Sequence, residues 1–113
     1  MIDLEKLSKE HEALFPNATA ESQFYNMEEE INEFDDALRK KDTEQKIKER
    51  ADIIIVCGGL YRWFPKTAEI IYDYIGCPDD VTSEVIRKWE VNKSRKWEWN
   101  GKTYKHVGRD GNE

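Results

Sequence analysis

The sequence predicts an all-α protein: a helical bundle of four to five helices that ends in a short β-hairpin-like tail. Two observations support this fold class. Apolar residues recur at alternating steps of four and three across residues 20–40, which is the period of an amphipathic helix. Near the C-terminus, aromatic residues instead alternate around Asn100-Gly101, a dipeptide typical of two-residue hairpin turns. We assign the hairpin-like tail to residues 98–113 and expect its last residues to be frayed.

Helical patterns account for most of the remaining chain. Helices are predicted at 2–14, 20–40, 44–63 and 83–96. A further apolar segment, residues 66–75, follows a break at Pro65. Thr19 or a neighbouring polar residue can cap the second helix. Asp42 and Gln45 have the spacing of a capping box for the third helix.

The third predicted helix is unusual because it becomes apolar on every side from Ala51 onwards. Its β-branched run from Ile53 to Val56 suggests a strand when it is judged alone. The helical pattern before this run, and the absence of partner strands in the sequence, favour a buried helix. Gly58 and Gly59 would allow another element to approach its backbone closely.

The composition indicates a single domain, residues 1–113, with a modest core. The chain has 113 residues, close to the commonest domain size, and contains 38% hydrophobic and 37% charged residues. We therefore expect helices to pack between subunits, in a homodimer or homotetramer. The net charge of -6 argues against general binding to nucleic acids or membranes.

Several features suggest a cytoplasmic location. Cys57 and Cys77 have neither metal-knuckle spacing nor a disulfide-rich context, so we expect reduced thiols. The N-terminal residues carry alternating charges and lack the apolar core of a signal peptide. The longest apolar run, residues 53–60, is too short to span a bilayer.

Two acidic pairs carry the main chemical signal: Glu30 with Glu33, and Glu49 with Asp52. A step of three residues places both members of a pair on one face of a helix. Two helices can therefore converge four carboxylates on one point, where their mutual repulsion requires cations. Charge runs are usually solvated helix faces, but Glu49 and Asp52 open the helix that becomes apolar all round. The pattern predicts a two-helix carboxylate cage for magnesium.

The type of ligand narrows the choice of metal. Oxygen ligands favour Mg²⁺, with Mn²⁺ as a second possibility. Helical di-iron sites add a histidine three residues after a glutamate. Neither His11 nor His106 follows an acid at that spacing, so we do not expect a redox di-iron site. Each histidine is expected to be a surface or packing residue.

A line of polar and basic residues on the last predicted helix suits a polyphosphate. Lys88, Asn92 and Arg95 are spaced four and three apart, and together offer a point charge, an amide and a bidentate guanidinium. Taken alone, this line is equally well explained as a solvated face that balances the acidic helices. We apply that explanation to Lys93 and Lys96. Beside a magnesium cage, phosphate binding becomes the favoured interpretation of the line.

Three motifs therefore occur in order: EExxE at residues 29–33, ExxD at 49–52 and KxxxNxxR at 88–95. Together they resemble the all-α nucleoside triphosphate pyrophosphohydrolases of the MazG type. The stretches FPNATAESQFYNMEEEINEF and KWEVNKSRKWEWNGKTYKHV look like the small single-domain branch described as dATP/dGTP diphosphohydrolases. The resemblance covers about residues 14–107.

The resemblance implies a helical bundle that assembles as a dimer or tetramer. It also implies magnesium-dependent hydrolysis of a nucleoside triphosphate, here a purine deoxynucleotide (dATP or dGTP), to the monophosphate and pyrophosphate. The metal ligands carried over by position are Glu30, Glu33, Glu49 and Asp52. Glu29 would orient or deprotonate the attacking water, and Glu30 and Glu49 would share the catalytic role.

The resemblance also implies a substrate site. The residues that would hold the phosphates are Lys88, Asn92 and Arg95. Gln23 and Asn26 lie on the same helical line as the first acidic pair and could read a base edge. The aromatic residues that could stack on the base are Trp63, Trp97 and Tyr104.

Three alternatives differ in what they predict. The same chemistry could act on a pyrimidine nucleotide, dUTP or dCTP. A non-catalytic helical adaptor would pair its charged faces with each other or with a partner, and its melting temperature would not respond to magnesium. A nucleic-acid-binding module would bind single strands in a salt-sensitive way, although the net negative charge counts against it. That module would use the tail tryptophans with Arg87, Lys88, Lys93, Arg95, Lys96, Lys102 and Lys105.

Overall fold

A computed structural model of the protein describes residues 1–107, in which five helices precede a two-stranded antiparallel sheet. The elements are α1 (Leu4–Leu14), α2 (Ala20–Lys40), α3 (Thr43–Tyr61), α4 (Pro65–Ile75), α5 (Asp79–Ser94), β1 (Trp97–Trp99) and β2 (Tyr104–His106). The predicted helical fold with a hairpin tail is therefore confirmed. The predicted fraying concerns residues 108–113, which lie outside the described residues. No helix within residues 1–107 combines the length and apolar character needed to cross a membrane.

Helix α3 forms the centre of the bundle, and α1, α2, α4 and α5 all pack against it. Every residue from Ile53 to Leu60 is buried, so the prediction of an interior helix is confirmed and the strand interpretation is wrong. Gly58 brings α1 close, because a Cβ atom there would lie 2.5 Å from Cγ of Leu7. Close approach of a neighbouring element at this glycine is thus also confirmed.

The caps of the two long helices agree largely with the sequence. Thr19 and Ser22 form a reciprocal capping box at the start of α2. At the start of α3, the Asp42 side chain accepts a hydrogen bond from the Gln45 backbone N–H, as predicted. The Gln45 side chain does not close the box. It donates instead to Oε1 of Glu49, one turn further along α3.

The last helix begins one turn earlier than predicted. Its first residue is Asp79, with Pro78 as the N-cap, and it ends at Ser94. Asp79 and Asp80 therefore lie inside the first turn, where free backbone N–H groups favour negative charge. The fully buried Val81 follows directly and anchors this turn in the core.

The tail forms the predicted hairpin, but its reversal lies one residue later than expected. The Asn100 N–H donates to the Thr103 carbonyl at 3.1 Å, so Gly101 and Lys102 occupy the centre of the turn. Gly101 has φ +93°, which favours glycine. The Asn100 side chain accepts hydrogen bonds from the N–H groups of Lys102 and Thr103, so asparagine supports the turn from outside its centre.

The apolar stripe predicted on α2 is divided between core and surface. Met27 is buried and Phe34 packs partly against the core. Phe24, Ile31 and Leu38 remain 46%, 45% and 46% exposed. These three residues, seven apart, form one line that we call the outer α2 stripe.

Candidate functional site

The four predicted metal ligands converge where α2 and α3 pack together. One carboxylate oxygen each from Glu30, Glu33, Glu49 and Asp52 lies within 4.8 Å of the others. A short reversal makes this possible, because Lys41 adopts a left-handed conformation between the two helices. The three-residue spacing within each pair then aims both pairs at the same point. We call these four residues the carboxylate cluster.

The carboxylate cluster is electrostatically unsatisfied. Burial, followed by repulsion from Asp52, Glu33 and Glu49, raises the pKa of Glu30 to about 9. Burial likewise raises the pKa of Glu49 and of Asp52. Oε2 of Glu30 and Oε2 of Glu49 are buried without any hydrogen-bond partner. Such oxygens are costly unless a proton or cation accompanies them. Their donor set, oxygen only, fits Mg²⁺ or Mn²⁺.

Two polar side chains contact the carboxylate cluster from outside. Gln45 donates its side-chain N–H to Glu49. Lys88 on α5 donates to both Asp52 oxygens, at 2.9 and 3.0 Å. Lys88 was predicted to hold phosphate, but the structure places its ammonium on a carboxylate of the cluster. An ion pair at this position partly offsets the effect of burial on the pKa of Asp52.

A cavity of about 180 Å³ adjoins the carboxylate cluster, with Glu30 and Asp52 in its wall. Gln23, Asn26 and Asn92, three of the predicted substrate residues, also line this cavity. The structure thus brings together residues from α2, α3 and α5 that lie far apart in the sequence. Three amide side chains beside carboxylates provide both donors and acceptors for a polar ligand.

Gln23 is the most enclosed polar group of the cavity wall. It is 3% exposed, and its Oε1 has no hydrogen-bond partner. Its Nε2 donates to the Ser22 hydroxyl at 3.3 Å. A Cβ atom at position 59 would lie 2.2 Å from this Oε1, so only Gly59 leaves room for the amide. Asn26 is less enclosed, and its Oδ1 accepts a hydrogen bond from the Thr103 hydroxyl at 3.3 Å.

Aromatic side chains from the tail form another wall of the cavity. Trp97 and Tyr104, two of the predicted stacking residues, both line it. Trp97 donates its indole N–H to the Asn92 carbonyl at 2.8 Å, and the Tyr104 hydroxyl accepts from the Asn17 N–H at 2.8 Å. These bonds hold both rings in place. Trp63, the third candidate, is not part of this wall and instead lies under the Arg62 guanidinium.

Two predicted site residues lie outside this constellation. Glu29 is exposed on α2, where it raises the pKa of the Tyr25 hydroxyl, and it does not belong to the carboxylate cluster. It directly precedes Glu30, and one helical residue rotates a side chain by about 100°. Arg95 follows the last residue of α5 and is half-buried, and it is not among the residues that line the cavity.

The sequence did not indicate that α1 contributes to the site. His11 and Phe15 both line the cavity. His11 is buried against Phe15 and stacks on Trp89, with ring centroids 4.7 and 6.0 Å apart, so its predicted packing role is confirmed. Burial, aided by Arg62, lowers the pKa of His11 to about 4 and keeps the imidazole neutral. The four-residue step from Leu7 to His11 along the buried face of α1 was the available signal.

Comparison with known proteins identifies no relative. No protein-family model, no curated protein and no solved structure matches the chain. Any functional interpretation of the site therefore rests on its own residues and their geometry.

Proposed function

We propose that the protein is a magnesium-dependent nucleoside triphosphate pyrophosphohydrolase, which converts a deoxynucleoside triphosphate and water to the monophosphate and pyrophosphate. The observation that carries this proposal is the carboxylate cluster beside the polar and aromatic cavity. Four carboxylates converge within 4.8 Å, and two of their buried oxygens have no partner. The MazG-type resemblance of the three sequence motifs supports the same reaction.

Glu30, Glu33, Glu49 and Asp52 would hold Mg²⁺, or Mn²⁺ in its place. The bound ion would supply positive charge to phosphate oxygens and favour ionisation of water. The protein's contribution is a fixed, partly buried set of oxygen ligands, and the polar groups of the cavity then orient the substrate beside it.

In the reaction, water would add to the α-phosphorus and the bond from that phosphorus to the pyrophosphate oxygen would break. The water proton would pass to Oε2 of Glu30, and the bond's electron pair would leave with pyrophosphate. Glu30 suits this role because it lines the cavity and this oxygen has no hydrogen-bond partner. Glu29, which is exposed on another side of α2, is less well placed to accept the proton.

The nucleoside would occupy the cavity, with its phosphates at the end formed by Glu30 and Asp52. The rings of Trp97 and Tyr104 offer apolar surface to a base. Gln23 and Asn26 would hydrogen-bond its edge. A purine base is proposed because of the resemblance to the dATP/dGTP branch. The phosphate-binding side chains would be Lys88, Asn92 and Arg95.

We also propose a homodimer or homotetramer, located in the cytoplasm, where Cys57 and Cys77 stay reduced. The support for assembly is the outer α2 stripe, whose three large apolar side chains are about half exposed. Replacing Ile31 at its centre with Glu should lower the mass measured by light scattering. Asn32→Glu, at the exposed neighbouring position, should leave that mass unchanged. A monomeric wild-type protein would contradict the assembly.

The test of the activity is pyrophosphate release from a panel of dATP, dGTP, dCTP, dUTP and the corresponding ribonucleotides, with magnesium and with chelator. We expect magnesium-dependent conversion to the monophosphate, fastest with a purine deoxynucleotide. Preference for dUTP or dCTP would keep the reaction and replace the substrate. A folded protein that hydrolyses none of them, and whose melting temperature ignores magnesium, would favour a helical adaptor.

A further inference from the structure

Lys88 occupies an unexpected position relative to the carboxylate cluster. Its ammonium lies 2.9 and 3.0 Å from the two oxygens of Asp52 and donates hydrogen bonds to both. The two side chains are only 22% and 26% exposed. Water therefore screens this pair less than it screens the ion pairs on the surface.

Lys88 is also the one cation that the described chain supplies to the cluster. Within residues 1–107, Glu30, Glu33 and Glu49 form no ion pair with a lysine or arginine. Glu49 is 5% exposed and its Oε2 has no partner, so the cluster remains short of positive charge even with Lys88 in place. The cluster therefore contains four acidic side chains and is paired with a single ammonium group.

We propose that Lys88 is an exchangeable counter-cation of the carboxylate cluster. It holds Asp52 while the metal is absent, and transfers to the polyphosphate when metal and nucleotide bind together. This inference rests on the proposed function, because it presumes that the carboxylate cluster binds a divalent cation. Lys88 thereby disfavours metal binding without nucleotide and favours binding of the metal–polyphosphate complex.

Two physical arguments support the exchange. A divalent cation that shares Asp52 with an ammonium would lie within a few ångströms of a like charge, in a partly buried site where water screens the repulsion less than in bulk solvent. This repulsion outweighs the benefit of orienting Asp52, whose short side chain has few rotamers to lose. The transfer requires only side-chain rotation, because a lysine has a flexible four-carbon stem. Asn92, one turn further along the same face of α5, already lines the cavity.

Loss of the Lys88 charge should change two binding affinities in opposite directions. In Lys88→Met, the aliphatic stem remains but the charge is lost. Binding of Mn²⁺ alone should tighten about tenfold, because the competing charge has gone. Binding of the preformed manganese complex of inorganic tripolyphosphate should weaken about tenfold, because the phosphates lose a cation. A residue that merely supported the fold would shift both affinities in the same direction.

Isothermal titration calorimetry with Mn²⁺, and separately with the manganese–tripolyphosphate complex, measures both affinities without relying on turnover. Lys88→Arg, which keeps the charge, should restore values close to those of the wild type. Lys93→Met is the matched control, since Lys93 lies on the same helix but pairs with Glu90 and Glu10. Circular dichroism melts establish that each variant is folded.

The outcomes separate this inference from the proposed function. Tighter Mn²⁺ binding with weaker complex binding in Lys88→Met supports the exchange. Equal or weaker Mn²⁺ binding overturns it, while turnover by the wild type would leave the proposed function standing. Equal binding of the complex overturns the transfer to phosphate. If neither protein binds Mn²⁺ and the wild type hydrolyses no nucleotide, the carboxylate cluster is not a metal site and both proposals fail.

Discussion

Consecutive stretches of α3 differ in how fully the fold satisfies their side chains. From Ile53 onwards the helix is apolar and buried, and Ile53, Ile54 and Leu60 have no exposed surface. One turn earlier, Glu49 is 5% exposed and carries a carboxylate oxygen without a partner. Both stretches belong to one continuous helix.

This contrast separates residues that stabilise the fold from residues that weaken it. Buried methyl and methylene groups contribute stability in proportion to the area removed from water. Buried carboxylates that repel one another contribute the opposite, unless a proton or cation offsets them. Proteins commonly keep such unfavourable groups where function requires them. A substitution at Glu49 should therefore lower activity while the fold persists, whereas a substitution in the apolar stretch should lower stability.

The largest effect is expected at Glu49. Glu49→Gln should lower pyrophosphate release about 1,000-fold or more, because a metal contributes several kcal/mol to such reactions and 1.36 kcal/mol corresponds to tenfold in rate. Its folded structure should persist, since glutamine has nearly the same shape. Glu44→Gln, at an exposed position on the same helix, is the control and should remain active. An active Glu49→Gln protein would contradict the proposal that the carboxylate cluster binds the catalytic metal.

A substitution in the apolar stretch should instead reduce the stability of the fold. Ile54→Ala should lower the free energy of unfolding by about 2–5 kcal/mol, through lost burial and the cavity left behind. Urea denaturation followed by circular dichroism measures this change. Ile70→Ala, at a position that is 68% exposed, should cost much less. Comparable losses for both variants would show that the buried stretch of α3 does not dominate stability.

Glu30→Gln should stabilise the protein in chelator, by roughly 5 °C at pH 8. Because the pKa of Glu30 is about 9 in the folded state, its proton remains bound while the unfolded state has lost it. The stability this proton gives is full below pH 4.5 and is lost as the pH rises towards 9. Glutamine cannot ionise, so its advantage should grow across that range.

Thermal melts between pH 6.5 and 9 test this expectation. In this range His11 contributes little, because its pKa is lowered from 6.5 to about 4 and most of its effect on stability falls between those two values. With Mg²⁺ in excess, the wild type should gain stability and Glu30→Gln should gain little. A variant whose advantage is the same at every pH would show that Glu30 is not the titrating group.

The smallest effect is expected for a charge outside both stretches. Arg39 and Asp35 form an i,i+4 pair on α2 and their side chains are 73% and 59% exposed. Arg39→Ala should change the free energy of unfolding by no more than about 0.5 kcal/mol. Urea denaturation gives the value directly. A loss above 1 kcal/mol would mean that removing any charge from α2 is costly, and the effects at Glu30 would need reinterpretation.

Several features of the fold and site could be predicted from the sequence because they depend on local order. The periods of apolar residues located the helices, and Thr19 and Asp42 marked helix starts through hydrogen bonds within one turn. The two acidic pairs were identified by spacing alone, and the structure brings them together. Their convergence follows from a short turn between two consecutive helices, which leaves the pairs little freedom to separate.

Other features were decided only by tertiary packing. The sequence placed Lys88 and Asn92 on one line, but packing of α5 against α3 directs Lys88 to Asp52 and Asn92 to the cavity. The packing of α2 against α3 turns Glu30 and Glu33 towards the carboxylate cluster and leaves Glu29 outside it. These choices depend on the rotation of one helix against another, which sequence spacing does not specify.

The walls of the cavity show the same limit. His11 on α1 and Trp97 in the tail are more than 80 residues apart, yet both line the cavity. The sequence determined that an apolar helix with carboxylates at one end would lie at the centre of the bundle. Which distant side chains would meet at that end was set by close packing around α3, because contacts between elements depend on the shape of the whole core rather than on local periodicity.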